Sequence, residues 1–127
     1  MREIKFRGKD FLGRWHYGYL HLATGSSSLM IQVDSFDSFG VLPETIGQFT
    51  GFKDKNGKEI YEGDIVAFVF KGKVVRSEVA WNEETAMFFF KPQITHLFTS
   101  MFAPKFIIIG NIHDNKELLT EKRKCYE

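Results

Sequence analysis

At 127 residues, 43% of them hydrophobic, the chain has material for one domain, or for two small lobes that share a core. Its 17 basic and 16 acidic side chains leave a formal net charge of +1, which excludes the overall electrostatic footprint of a dedicated nucleic-acid binder. The single cysteine, Cys125, excludes an intrachain disulfide and points to a reducing, cytoplasmic setting. No stretch approaches the roughly 18 apolar residues of a membrane span, so neither a signal peptide nor a membrane anchor is expected.

In chain order, Ile4 and Phe6 alternate with Lys5 and Arg7, the pattern of a half-buried strand, and a loop follows over residues 8–13. Trp15, Tyr17 and Tyr19 share one face of the next strand, with His16, Gly18 and Leu20 on the other. Residues 24–28, Thr-Gly-Ser-Ser-Ser, connect to a third strand carrying Leu29, Ile31 and Val33. Residues 34–40 read as an irregular loop that must tuck away Phe36 and Phe39. The chain is extended through Val41 and Leu42 because Pro43 follows.

Residues 46–52 should pair with residues 59–61 across a hairpin whose tip is Asn56-Gly57, two residues that tolerate positive φ. Ile65 to Phe70 is apolar on both faces, as in a strand buried on both sides, and Lys71-Gly72-Lys73 turns it into a strand over residues 74–81. In that strand Val75, Ser77, Val79 and Trp81 share a face. Asn82-Glu83-Glu84 turns the chain into a strand from Met87 to Phe90, which Pro92 ends, and residues 94–101 fit either a short helix or a loop. Phe106 to Ile109 is the most strongly β segment and should be a central strand. Asp114 with Glu117 three residues later fits a helix start, after which Leu118 and Leu119 are buried, and residues 122–127 fray. No internal repeat is evident.

The fold expected is therefore mainly β, one domain over residues 1–127. Five short strands from about Ile60 to Ile112 have the rhythm of a small SH3-like barrel. The barrel region covers residues 46–115, an N-terminal β extension covers residues 1–45, and a short C-terminal helical turn with its tail covers residues 116–127.

Residues 46–66, Ile-Gly-Gln-Phe-Thr-Gly-Phe-Lys-Asp-Lys-Asn-Gly-Lys-Glu-Ile-Tyr-Glu-Gly-Asp-Ile-Val, resemble the signature of the YopX family of phage and prophage proteins. The opening Met1-Arg2-Glu3-Ile4-Lys5-Phe6-Arg7, the Val79-Ala80-Trp81 strand and the closing Ile109-Gly110-Asn111-Ile112-His113-Asp114-Asn115 with Leu118-Leu119 agree in the family's order. The resemblance implies a bacteriophage or prophage protein with an SH3-type barrel and a capacity to oligomerise. It supplies no established activity and no catalytic residues to carry over.

Chemistry-bearing residues are sparse. His16, His21, His96 and His113 lack the close spacing of metal ligands, and neither a metal nor a cofactor is expected. Asp64 beside Glu62 could act as a base, but a Gly-Asp turn normally ties its carboxylate to backbone N–H groups. Ser26, Ser27 and Ser28 lack the strand-to-helix elbow of a nucleophile. No catalytic constellation emerges, so the chain reads as non-enzymatic.

Two surfaces are left as candidates. The aromatic strand Trp15, Tyr17, Tyr19, with Phe88 and Phe90, is either core or a protein interface, and 14 Phe residues favour an apolar interface for some of them, as in a homo-oligomer or a contact with a host or phage protein. The alternative is single-stranded nucleic-acid binding by Lys53, Lys55 and Lys58 on one hairpin and Lys71, Lys73 and Arg76 on another, with Tyr61 between them in sequence.

Overall fold

The structure, a computed structural model, describes residues 3–25, 27–70, 72–91 and 105–119. The chain is all-β with antiparallel sheets, and it divides into two compact units, Met1–Gly51 and Phe52–Glu127. The undecided segment 94–101 lies outside the described residues.

Unit 1 is a meander of β1 (Phe6–Lys9), β2 (Trp15–Leu22), β3 (Leu29–Gln32) and β4 (Ser38–Gly40). A 3-10 turn over Pro43–Thr45 then leads into β5 (Gly47–Lys53), which begins in this unit and pairs with the outer side of β1. Alternation decides what each face does. Paired residues share a face, and the register sets Arg7 across from Tyr17, Lys9 across from Trp15 and Gln32 across from Tyr19. The opposite face holds fully buried Ile31, and the buried His16 ring stacks on Phe39 with centroids 3.9 Å apart. Gly8 is needed there, because a Cβ would meet the Val41 side chain at 2.8 Å. Two expectations change. Residues 38–40 form β4 rather than loop, and while Phe39 is tucked against His16, Phe36 stands 96% exposed at the tip of the β3–β4 turn. Asp34 Oδ1, which accepts the Phe36 and Asp37 N–H groups at 2.9 and 2.8 Å, holds that turn without needing the ring.

Unit 2 begins with the end of β5 and its hairpin partner β6 (Glu59–Tyr61), then forms a four-stranded sheet. The sheet contains β7 (Asp64–Phe70), β8 (Lys73–Asn82), β9 (Met87–Lys91) and β10 (Ile107–Asn111), in the order β10-β7-β8-β9. Ile60, Val66, Phe68, Val75, Val79, Phe90 and Phe106 make its core. Phe68, Phe90 and Phe106 meet in a three-ring cluster with centroids 5.0 to 5.1 Å apart. Such tilted and edge-on pairs are the favoured geometries for aromatic rings. After Asn111 a turn leads into a helical turn beginning at Glu117, and Asn111 Oδ1 accepts the His113 and Asp114 N–H groups.

This unit is mainly β as expected, and two finer expectations for it are corrected. Among the described residues the four strands form an open sheet, and no closed SH3-like barrel is seen. The apolar run of β7 is covered on both sides only at its start, where Ile65 and Val66 are fully buried; further along, Val69 is 71% exposed while Phe68 is buried. Trp81 keeps the face of Val75, Ser77 and Val79, as expected, and lies near the end of the strand, 42% exposed with its ring edge-on to its cross-strand partner Phe88. Finally, β10 ends the described sheet rather than running through its centre. Ile107 and Ile109 are exposed, and a register shift between Ile108 and Gly110 breaks its ladder to β7. β propensity reports a fit to a pleated surface and does not say whether a second neighbour exists.

A repeat also emerges that the sequence did not disclose. Asp10-Phe11-Leu12-Gly13-Arg14 in unit 1 and Asp54-Lys55-Asn56-Gly57-Lys58 in unit 2 build the same turn. In each, Asp N–H donates to the carbonyl four residues on, at 2.9 and 2.8 Å, and the glycine N–H returns to the Asp carbonyl at 3.1 and 3.0 Å. Asp Oδ1 accepts the N–H groups two and four residues on, from Leu12 and Arg14 in the first turn and from Asn56 and Lys58 in the second. Gly13 and Gly57 supply nearly equal positive φ, 82° and 80°.

Candidate functional site

The two turns differ in what they display. In unit 1 the residues free to vary between the aspartate and the glycine are Phe11 and Leu12, 82% and 78% exposed. They stand on a turn held through both backbone and carboxylate. Buried Asp10 also accepts from His16 Nε2 at 2.8 Å and Arg14 Nε at 2.9 Å. These bonds, His16 foremost, hold the Asp10 carboxyl far below the ordinary carboxylate range. In unit 2 the same positions are Lys55 and Asn56, both exposed. There the buried Asp54 spends its second oxygen on the Ile108 N–H, 3.1 Å away, and Lys55 N–H donates to the Phe106 carbonyl, so the hairpin tip is fastened to β10.

Of the expected lysines, Lys53, Lys55 and Lys58 are exposed on that anchored hairpin. Lys73 is exposed at the start of β8, Arg76 is half-buried with Nη1 donating to the Leu118 carbonyl at 3.4 Å, and Lys71 lies outside the described residues. Tyr61 is buried, which removes it as a stacking ring between the two hairpins. Asp64 takes the structural role: buried, it accepts the Tyr61 N–H at 2.7 Å, while the Gly63 N–H reaches the Val79 carbonyl at 2.7 Å.

The aromatic candidates separate. Phe90 is fully buried and belongs to the core of unit 2, with Phe88 half-buried against it. Tyr17 and Tyr19 are 46% and 61% exposed, and Trp15 is half-buried. On their face of unit 1 cations lie against rings, with Arg7 4.8 Å and Lys9 5.7 Å from the Trp15 centroid and Lys5 5.4 Å from that of Phe49. Sequence reasoning missed this apposition, although the alternation Lys5, Arg7, Lys9 opposite Trp15, Tyr17, Tyr19 was the signal for it. It also missed Phe11 and Leu12, which the pattern Asp-x-x-Gly between two strands marks as a tip. Among the described residues no three His, Cys, Asp or Glu side chains converge as a metal site would require, and no helix is long and apolar enough to cross a membrane.

Two units of antiparallel sheet with glycine-dependent turns define an all-β protein. The match to known sequences is more specific. Residues 8–120 fit the family described as YopX protein, and the chain belongs to the YopX family. It is also similar in structure to protein EF1440 from Enterococcus faecalis, with a TM-score of 0.62 and 24% identity, over 94% of this chain and 99% of that one. At that identity the likeness shows the fold. No curated protein matches the chain.

Proposed function

We propose that this chain is a non-enzymatic interaction module of phage or prophage origin that works in the bacterial cytoplasm through protein contacts, either with copies of itself or as an adaptor for a host or phage protein. An SH3-like barrel in the C-terminal half belongs to the same reading. The observation that carries it is the Phe11-Leu12 tip. Two large apolar side chains stand almost fully in water on a turn that five hydrogen bonds hold in place. A rigid apolar tip loses little conformational freedom on docking, which is what a contact residue needs. Sedimentation at tens of micromolar tests the homo-oligomer. Self-association that Phe11→Ser with Leu12→Ser abolishes supports it, and a strict monomer removes it in favour of the adaptor.

A second reading, single-stranded nucleic-acid binding, draws on Lys53, Lys55 and Lys58, three exposed cations on the hairpin that Asp54 fastens. Binding that weakens with salt and falls when these lysines become Glu supports it, and unchanged binding overturns it.

A further inference from the structure

We infer that unit 1 carries a binding face for single-stranded nucleic acid laid across β1, β2 and β3, built from residues other than the hairpin lysines of unit 2. Phosphate groups would lie along Lys5 and Lys9 of β1 and its approach, bases would stack on Tyr17 and Tyr19 of β2, and a base edge would enter a cavity at the end of β3.

The strand order supplies the geometry. β1, β2 and β3 are neighbours, so the cation row and the end of β3 are two strand spacings apart, about 10 Å. Tyr17 and Tyr19 point to one face, about 7 Å apart along β2, which lets two successive unstacked bases each find a ring. Their 46% and 61% exposure leaves ring surface for stacking. Beside Tyr19 is an open cavity of about 230 Å³ lined by Tyr19, Gln32, Val33, Asp34 and Ser35. Its lining brings together an aromatic ring, the apolar Val33 and amide, carboxylate and hydroxyl groups of the kinds that read a base edge. Gln32 Nε2 and Asp34 Oδ1 are engaged within the β3–β4 turn, so the oxygens of Gln32 and Ser35 are the readers proposed. Gly18, between the two tyrosines, lets β3 come this close, because a Cβ there would collide with the Gln32 carbonyl.

The cations divide in role. Arg7 is buried against Trp15, so it adds positive potential and fixes that ring rather than touching phosphate. Lys9 is half-buried, and its own N–H is fixed by Thr45 Oγ1 at 2.8 Å. Lys5, half-buried beside the Phe49 ring, pairs at 3.3 Å with exposed Glu3, a solvent-facing partner that a phosphate could replace. Charge and rings thus occur together on this face, whereas the lysine hairpin of unit 2 has no exposed ring among its own residues 53–58.

Fluorescence anisotropy with labelled oligo-dT and oligo-U of about 12 nucleotides at ~50 mM salt, with a DNA duplex as control, tests the inference. The expected result is binding to single strands in preference to duplex, weakening with salt along a log–log slope of about −1.4 for two phosphate contacts. Tyr17→Ala with Tyr19→Ala should weaken it about tenfold or more at unchanged melting temperature. Tyr17→Phe with Tyr19→Phe should keep it, because the stacking rings remain. Lys53→Glu, Lys55→Glu and Lys58→Glu together should change it little. If the hairpin variant loses binding while the double alanine variant keeps it, the face in unit 1 is wrong and the hairpin reading stands. Absence of single-strand binding by the wild-type protein overturns both.

Discussion

The β1–β2 turn of unit 1 and the β5–β6 turn of unit 2 use the same plan of aspartate, two variable residues, glycine and a basic residue, and reach different ends with it. In both, the Asp carboxylate substitutes for strand pairing where the chain reverses, and a glycine takes the left-handed conformation. Asp54 then reaches out to a backbone N–H of β10, 54 positions away in sequence, so its turn is a joint in the fold. Asp10 reaches to His16 and Arg14, both within its own hairpin, so its turn is self-contained and can present whatever occupies its tip. The tips match this division: Lys55 and Asn56 are polar and exposed, whereas Phe11 and Leu12 are apolar and exposed. Local chemistry thus specifies the turn, and the destination of one carboxylate oxygen decides whether it braces or displays.

That division predicts unequal losses. Asp54→Ala leaves the Asn56, Lys58 and Ile108 N–H groups without their carboxylate, one of them at the start of β10, and should cost about 3 kcal/mol by denaturant unfolding. A cost below about 0.5 kcal/mol, the range of ordinary surface changes, would mean that the joint is not structural.

Asp10→Asn should lower the melting temperature by less and should alter its pH dependence. The folded-state carboxyl titrates well below the unfolded value of 3.8, so its contribution is present above pH 3.8 and is lost as pH falls below it. Wild-type stability should therefore drop on acidification through this window, and that drop should shrink in the variant. An unchanged acid limb would show that His16 and Arg14 do not hold the charge.

Much of this was legible in the sequence where a single local rule governs. Asn56-Gly57 marked its hairpin, Gly63-Asp64 its turn, and the alternation around Trp15 a strand with one aromatic face, because turn chemistry and period-2 patterning act within a few residues. Errors arose where the outcome depends on distant partners. Ile107 to Ile109 has the composition of a central strand, but position in a sheet is set by which strands pair. Val69 continues an apolar run that only tertiary packing could show to be uncovered. The repeated turn escaped notice because its tips, Phe-Leu and Lys-Asn, share no chemistry, while the three residues that do the structural work, Asp, Gly and a cation, are spaced apart.

The common plan gives a smaller, symmetrical test. Gly13→Ala and Gly57→Ala each force a side chain into the left-handed region with no close atom crowding the new methyl group, the nearest being Lys9 Cε at 3.8 Å beside Gly13, so both should cost about 1 kcal/mol and should agree within experimental error. A much larger loss at Gly57 would mean that the joint to β10 magnifies strain, and it would sharpen the contrast between bracing and display.

The smallest stability effect should accompany the most informative change. Exchanging the tips, Phe11→Lys with Leu12→Asn, touches no carboxylate contact and no positive-φ residue, so stability should stay within about 0.5 kcal/mol of wild type. If the protein self-associates, sedimentation of this variant should show the monomer. The reciprocal change, Lys55→Phe with Asn56→Leu, puts the apolar pair on the unit 2 turn, and its association should match the wild type, because a new apolar tip without its matching surface adds nothing specific. Association that survives the first exchange would place the contact elsewhere, with Tyr17 and Tyr19 the next residues to change. Association lost in the first variant and strengthened in the second would mean that apolar exposure alone drives it, with the geometry of the Asp10 turn contributing nothing.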